Sequence, residues 1–485
     1  MPRPRWEFAL SVDRADRRPL FLQIANGIAN GITRGRLKPG DPLPGTRELA
    51  RLASVSRVTV LTAYEELAAQ GWIVVERGRG ARVSAVMPDA SGSSRPAIVR
   101  GIPSAIYSVP DPPAIERWPD PRPGMLLLNS WPDTRLIRTE PLAQAFRQVL
   151  RKSARRVLAY GDPAGHPGLR SAVANMLATA RGLPVRGDDI VITRGSQMAL
   201  TLIARSALGP GKTIAVEALG YPHAWESFRQ AGLQLVPIPV DEEGLHVATL
   251  EQRLARQRID AVYVTPHHQF PTTVTLSTAR RARLLDLARR RRMLIIEDDY
   301  DDAFHYEGPA VMPLASLDAA GVVLYLGTFS KVFAPGLRIG FVVAPSDVRR
   351  RLIAHRQFLD IHGDLAIEQT LAVLLADGEV QRHIRRVKRI YRTRRDLFAD
   401  LLARQSRGRI DFTTPSGGVA LWVRLVSGSA ERWAEQSAAR GVRFFTARTF
   451  ALDQRPRPYA RLGFASLNEE ELRTAAHRLI ASLPE

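Results

Sequence analysis

The sequence predicts an α/β domain with a mainly parallel sheet, preceded by a small N-terminal domain of helices and a two-stranded wing. Three observations carry this. From about residue 124 onward, short apolar runs of strand length alternate with helical stretches, the pattern of a parallel sheet covered by helices. Before residue 85 the apolar residues fall at helical spacing and are interrupted by prolines. Between the two lies a stretch with no periodic apolar pattern.

In chain order, Leu20-Phe21-Leu22-Gln23-Ile24-Ala25-Asn26-Gly27-Ile28 predicts a helix. Pro39, Pro42 and Pro44 then break the chain. Helical patterns over about 47–53 and 57–69 follow, separated by Ser54-Val55-Ser56. Two strand patterns, 72–76 and 81–84, flank Arg77-Gly78-Arg79-Gly80 and predict the wing. These make a first domain over 1–84. Residues 85–123 are polar and small at first, then rich in proline, and are expected to form a linker. The domain 124–485 carries apolar runs at 190–193, 213–217, 261–265, 293–297 and 322–326, each short enough for a buried strand. No internal repeat is evident.

A chain of 485 residues is too long for one ordinary domain. The absence of cysteine excludes disulfides, thiolate metal sites and cysteine nucleophiles. No apolar run reaches the length of a membrane span, and the N-terminus lacks a signal-peptide core; a cytoplasmic protein with no membrane partner is expected. The formal charge of +21 favours polyanionic partners. The basic residues are nearly all arginine, however, and that bias also follows from genome composition alone. The five lysines are Lys38, Lys152, Lys212, Lys331 and Lys388.

One of these stands in a chemical context. Gly327-Thr328-Phe329-Ser330-Lys331 follows a strand-like run and leads through Pro335-Gly336 to Arg338. A lysine amine can couple to the aldehyde of pyridoxal 5'-phosphate, while hydroxyls and a guanidinium can hold the phosphate. In parallel sheets, ligands bind beyond the carboxyl ends of the strands. Gly195-Ser196, Tyr221, His268, Asp298 and Lys331 all follow strand patterns. Asp299, Asp301 and Asp302 are read as surface or helix-capping residues. His267-His268 lacks further metal ligands at useful spacing, so no metal is expected. Gly209-Pro210-Gly211-Lys212-Thr213 imitates a nucleotide-binding loop, but Ser206 stands where its first glycine belongs and a strand follows.

Residues 18–84 resemble the winged helix-turn-helix of GntR-type repressors. The match lies in Leu43-Pro44-Gly45-Thr46-Arg47-Glu48-Leu49-Ala50, Val55-Ser56-Arg57-Val58-Thr59-Val60, Tyr64-Glu65-Glu66-Leu67 and Gly71-Trp72. Gly45 stands where serine is usual, and Ala53-Ser54 where Leu-Gly is typical. The resemblance implies a double-stranded DNA operator, contacted by Arg47, Ser56, Arg57, Thr59, Tyr64 and, from the wing, Arg79. Ser56 can also cap the second helix of the pair.

Residues 124–485 resemble the fold-type I aminotransferases, which implies a large domain with a mainly parallel sheet and a small C-terminal α+β subdomain. Joined to the N-terminal domain, the whole is similar to the MocR family of transcription regulators. The match runs through Tyr160-Gly161-Asp162-Pro163, Thr193-Arg194-Gly195-Ser196-Gln197, Gly220-Tyr221-Pro222, Pro266-His267-His268-Gln269-Phe270-Pro271, Asp298-Asp299-Tyr300 and the Lys331 segment. It implies that Asp298 faces the pyridine nitrogen, Tyr300 the ring oxygen, and that Tyr221 stacks on the ring. Gly195, Ser196, Gln197, Thr328, Ser330 and Arg338 would form the phosphate cup. Tyr160 would reach the phosphate of a neighbouring subunit, implying a homodimer. Arg461, in Arg461-Leu462-Gly463-Phe464, would grip the carboxylate of a substrate or effector. Phe270 stands where transaminases carry asparagine, and Thr273 where glycine is usual; His268 or Gln269 is a candidate stand-in for that asparagine.

Together these expectations describe a regulator that senses a small amine, an amino acid or the cofactor itself. The alternative is a working aminotransferase with an appended DNA-binding domain.

Overall fold

The computed structural model describes residues 12–14, 16, 18–76, 80–86, 124–308 and 311–484. Arg79 and most of the expected linker lie outside these residues. The chain divides into two compact units, Met1–Pro113 and Ala114–Glu485.

In the first unit, α1 (Leu20–Thr33) buries Ile24, Ile28 and Ile32, one per turn. They pack on α2 (Thr46–Leu52) and α3 (Arg57–Ala69) through Leu49, Val60 and Leu67. Gly45 is the extended residue before α2 and offers no side-chain cap. Ser56 does cap α3, its Oγ accepting from the Thr59 backbone N–H at 3.1 Å. Strands β1 (Ile73–Glu76) and β2 (Gly80–Val83) pair antiparallel as the wing. One expected DNA contact is corrected: Tyr64 is buried in this core and its hydroxyl donates to the Pro44 carbonyl at 2.7 Å. It ties α3 to the turn before α2 because Tyr64 lies on the same face as Val60 and Leu67.

The second unit opens with β3 (Leu126–Leu127) and is built on a seven-stranded sheet. Its strands are β4 (Ile190–Thr193), β5 (Thr213–Glu217), β6 (Gln234–Ile238), β7 (Ala261–Val264), β8 (Leu294–Asp299), β9 (Val323–Thr328) and β10 (Gly340–Val343). Their order is β4-β10-β9-β8-β7-β5-β6. The pairs β9–β8, β8–β7, β7–β5 and β5–β6 are parallel, and β10 runs antiparallel to both its neighbours. Sequence reading passed over β6, whose Pro237 is tolerated because the strand is at the sheet edge.

Alternate residues face opposite layers. Ile214, Val216, Tyr263 and Ile296 pack with Leu200, Phe228 and Leu352 from helices on one side. Ala215, Val262, Val264 and Ile295 pack with Leu250, Leu284 and Leu287 on the other. This is the layered α/β arrangement expected. A smaller antiparallel sheet of β11 (Ile410–Asp411), β12 (Ala420–Leu425), β14 (Phe445–Thr446) and β15 (Tyr459–Gly463) completes the unit. Between these, β13 (Val442–Arg443) pairs in parallel with β3, drawing the start of the unit to its C-terminal part.

Strand β8 runs two residues past the expected 293–297, because its pairing with β9 continues through Asp298↔Leu326 and Asp299↔Gly327. Two carboxylates thereby enter the sheet. No described helix is long and apolar enough to cross a membrane.

Candidate cofactor-binding site

Strand β9 ends at Thr328 and turns at once into the four-residue helix Phe329–Val332. Thr328 Oγ1 caps it by accepting from the Ser330 N–H at 3.1 Å. This fixes Lys331 one step beyond the sheet, half-buried, with Nζ donating to the Ser130 carbonyl at 3.2 Å. Desolvation by the pocket walls, reinforced by the Arg461 cation, pushes the Lys331 pKa down to about 8, against the pull of Asp301 and Asp298.

Asp298 projects from the end of β8 into the same cavity. Its Oδ2 accepts from the Tyr263 hydroxyl at 2.8 Å, while Oδ1 is buried with no hydrogen-bond partner. Burial pushes its pKa up to about 7; the Tyr263 hydrogen bond opposes this, and Asp299 and Asp301 add to it. Tyr263 reads in sequence as one more core residue of a strand. Only the sheet, placing β7 beside β8, gives its hydroxyl a carboxylate to hold.

At the end expected to hold the phosphate, β4 leads into the helix Gly195–Ile203. Gly195 has φ +75°, and a Cβ there would lie 2.9 Å from Arg338 Nη2. Glycine therefore lets the Arg338 guanidinium approach the helix start, where it also donates to the Arg194 carbonyl at 3.2 Å. The Ser330 hydroxyl is buried and unpartnered. Thr328, Ser330 and Arg338 line the cavity with Ser196 and Gln197.

That cavity, about 640 Å³, gathers Ser196, Gln197, Tyr221, Asp298, Tyr300, Thr328, Ser330, Lys331 and Arg338 from the expected set. Tyr221 is packed edge-on to Phe270 at 5.4 Å. Burial, with the Asp298 charge, raises the Tyr221 phenol to about 12. The Tyr300 hydroxyl donates to the His268 carbonyl at 2.9 Å. A second cavity of about 720 Å³ shares Ser130, Trp131, Tyr221, Phe270 and Lys331 with the first and contains Arg461. Arg461 stacks on Phe270 with 4.6 Å to the ring centroid. Its Nε donates to Ser130 Oγ at 3.0 Å, Nη1 to the Pro271 carbonyl, and Nη2 is buried without a partner. Ser130 and Trp131 lie some two hundred residues before Lys331, and nothing in their local sequence marks them.

Three expectations are corrected. His268 does not line either cavity: its Nδ1 lies 2.8 Å from Asp301 Oδ1, and its Nε2 faces the Gly417 backbone, where a Cβ would sit 2.1 Å away. Gln269 is also turned inward, donating to the Leu219 carbonyl at 2.8 Å. Asp299 and Asp301 are buried rather than on the surface. Asp299 receives Arg181 at 2.6 Å and the Tyr325 hydroxyl at 2.8 Å, with His267 Nδ1 3.1 Å away. Burial alone raises the Asp299 carboxyl, but His267 and Arg181 outweigh it and hold it well below the usual range. The His267-His268 pair thus serves two buried carboxylates, and the described residues hold no group of three metal-ligating side chains.

Tyr160 is highly exposed, its ring edge-on to His362 at 5.9 Å, and it is absent from both cavities. Thr273, where glycine was the expected residue, has φ +67°, the left-handed backbone that glycine adopts without cost.

Residues 132–479 match the family model for aminotransferase class I and II, and residues 20–83 match that of bacterial regulatory proteins of the gntR family. The chain belongs to the aminotransferase class I and II family, with a gntR-family domain in front. Among relatives of this class I and II chain, "Aromatic-amino-acid aminotransferase 1" of Thermococcus litoralis is 33% identical over 71% of this chain and 84% of its own. The "Probable rhizopine catabolism regulatory protein MocR" of Rhizobium meliloti is 29% identical over 97% of this chain and 95% of its own. Among solved structures, LysN, an alpha-aminoadipate aminotransferase from Thermus thermophilus complexed with N-(5'-phosphopyridoxyl)-L-leucine, superposes with a TM-score of 0.70 at 30% identity. It covers 74% of this chain and 92% of its own.

The cofactor of this class I and II site is pyridoxal 5'-phosphate, and the residues present fit it. Asp298 Oδ1 and the Ser330 hydroxyl are buried polar atoms lacking partners, suited to a ring nitrogen and a phosphate respectively. The amine beside them is of lowered basicity.

Proposed function

We propose that this chain is a DNA-binding transcription regulator whose pyridoxal phosphate site senses an amine, an amino acid or the cofactor itself. In this reading residues 1–84 bind an operator in double-stranded DNA, 85–123 link, and 124–485 hold the cofactor. The observation that carries it is the union in one chain of an amine-reactive site and a gntR-family domain.

When bound, the cofactor supplies an aldehyde that couples to a primary amine and a cationic ring that draws electrons from it. Lys331 provides the resting amine. Asp298 holds a proton at the ring nitrogen through Oδ1, and Tyr263 keeps that carboxylate aimed. Ser196, Ser330 and Arg338 would hold the phosphate, with the backbone N–H groups of Gly195, Ser196 and Gln197 at the start of helix Gly195–Ile203. Tyr221 covers the ring. Arg461 offers Nη2 to an effector carboxylate, and Ser130 Oγ beside it adds a second donor.

Ser130 joins these roles. Its carbonyl accepts from Lys331 and its hydroxyl from Arg461. An effector that displaces Lys331 and engages Arg461 disturbs both contacts at once. Ser130 follows β3, close in sequence after the expected linker. The double contact is a two-position device of the kind that shifts a population between states.

The reading includes a homodimer located in the cytoplasm. Tyr160, Leu158 and Phe358 are exposed, and Tyr160 packs on the His362 ring next to the exposed Ile361. A second copy covering this surface brings Tyr160 to its neighbour's cofactor.

Lys331→Ala tests the core of the proposal. The wild-type protein, loaded with pyridoxal phosphate and treated with borohydride, is expected to carry one pyridoxyl adduct on the Lys331 peptide. The variant is expected to lose both adduct and visible absorbance; unchanged absorbance overturns the mechanism. Sustained exchange of amino and keto acids by the loaded wild type favours the aminotransferase reading instead.

A further inference from the structure

Helix α3 presents apolar side chains where a solvated helix presents polar ones. Val58 is 70% exposed and Leu61 48%. Three residues apart, they share one stretch of helix surface. Val60, Ala63, Tyr64 and Leu67 commit the opposite face to the core, so α3 cannot rotate to bury the pair.

A lone exposed apolar residue needs no explanation. This pair differs in its surroundings. Arg57 precedes Val58 on α3, and Arg47 and Arg51 are exposed on α2, which packs against α3. Arg57 donates only to Thr46 Oγ1, at 3.3 Å, and the Arg47 and Arg51 guanidinium groups have no partner among the described residues. An exposed apolar pair on a helix pair that also carries exposed cations without carboxylate partners fits a polyanion with methyl groups inside a phosphate frame. The local polar groups, by contrast, are already engaged. The Thr59 and Ser56 hydroxyls bond each other at 2.8 Å, and the Thr62 hydroxyl donates to the Val58 carbonyl at 3.1 Å. Each hydroxyl keeps an acceptor lone pair for a base-edge donor, but a methyl group offers it no hydrogen bond and falls to the apolar pair. The one apolar group that B-DNA displays in its major groove is the thymine C5-methyl. A recognition helix offers its N-terminal residues to that groove, and Val58 is the second residue of α3. Glu65, exposed one turn beyond Leu61, limits the contact to the first turns of the helix.

We infer that Val58 and Leu61 read thymine methyl groups in the operator half-site. This rests on the regulator reading above. The arginines fix the register on the phosphates, and the apolar pair selects thymine over cytosine and uracil.

The full-length, cofactor-loaded protein tests it by selection from a randomised duplex library. The enriched half-site is then remade with uracil at each thymine in turn, which removes the methyl and nothing else. At two positions uracil is expected to lower affinity about fourfold. Val58→Ala is expected to shrink the penalty at one of them and Leu61→Ala at the other, each leaving the penalty at the remaining position intact. Both side chains are exposed, so neither variant loses core packing, which unchanged circular dichroism checks. Equal affinity for thymine and uracil throughout overturns the inference, as does full discrimination by both variants. Failure to enrich any sequence overturns the regulator reading beneath it.

Discussion

Lys331 shows how a single side chain is tuned by what surrounds it. Its cation is disfavoured by desolvation and by Arg461, so the folded chain holds fewer protons than the unfolded one between pH of about 8 and 10.5. Stability from this residue therefore rises with pH across that window. The reactive neutral amine dominates above about 8 and is lost below it. In cofactor-free protein, the rate of pyridoxal phosphate attachment is expected to fall about tenfold per pH unit below 8 and to level off above it. Stopped-flow absorbance measures this; a rate still climbing through pH 10 shows an unperturbed lysine. The residue type and its hydroxyl neighbours were legible in sequence. The lowered basicity was not, because the desolvating pocket walls and the Arg461 charge reach it only through the fold.

Among elements, α3 and β8 show what local sequence can and cannot specify. The limits of α3 were readable because Ser56 supplies the cap and the apolar spacing sets the period. Ser56→Ala is expected to cost about 1 kcal/mol at the start of α3. Hydrogen exchange in the full chain should then show amides 57–60 exchanging about fivefold faster; unchanged exchange means the cap contributes nothing. Tyr64 was misread because its residue type suits a DNA contact, while its position on the Val60 and Leu67 face puts it in the core. Strand β8 was read two residues short. Isolated carboxylates are poor strand formers, but Asp298 meets Tyr263, and Asp299 meets Arg181 and Tyr325. Those partners come from distant stretches, so burial of the acids had no local signal.

At the scale of the whole molecule, the question is how the cavity and the DNA-binding domain act as one. In the proposed function Arg461 is the residue that would distinguish an amino acid from a plain amine, through its buried, unpartnered Nη2. Arg461→Gln is expected to keep cofactor attachment and DNA binding. It should weaken the response to amino acids by about tenfold to a hundredfold, the worth of a charge-assisted hydrogen bond, and leave the response to amines lacking a carboxylate unchanged. Spectral titration with matched amino acid and amine pairs measures this. Equal loss for both kinds of ligand assigns Arg461 a purely structural role through Pro271 and Ser130.

The sequence by itself determined the class of both folded parts, the lysine, and many of the residues that line the cavity. These are written in periodicity, in turn residues and in contiguous motifs, all of which act within a few residues of one another. The tertiary structure alone decided that Tyr263 aims Asp298, that Ser130 bridges Lys331 and Arg461, and that His268 turns away to Asp301. The reason is physical: hydrogen-bond partners and desolvation are set by which strands lie side by side, and no local spacing encodes that.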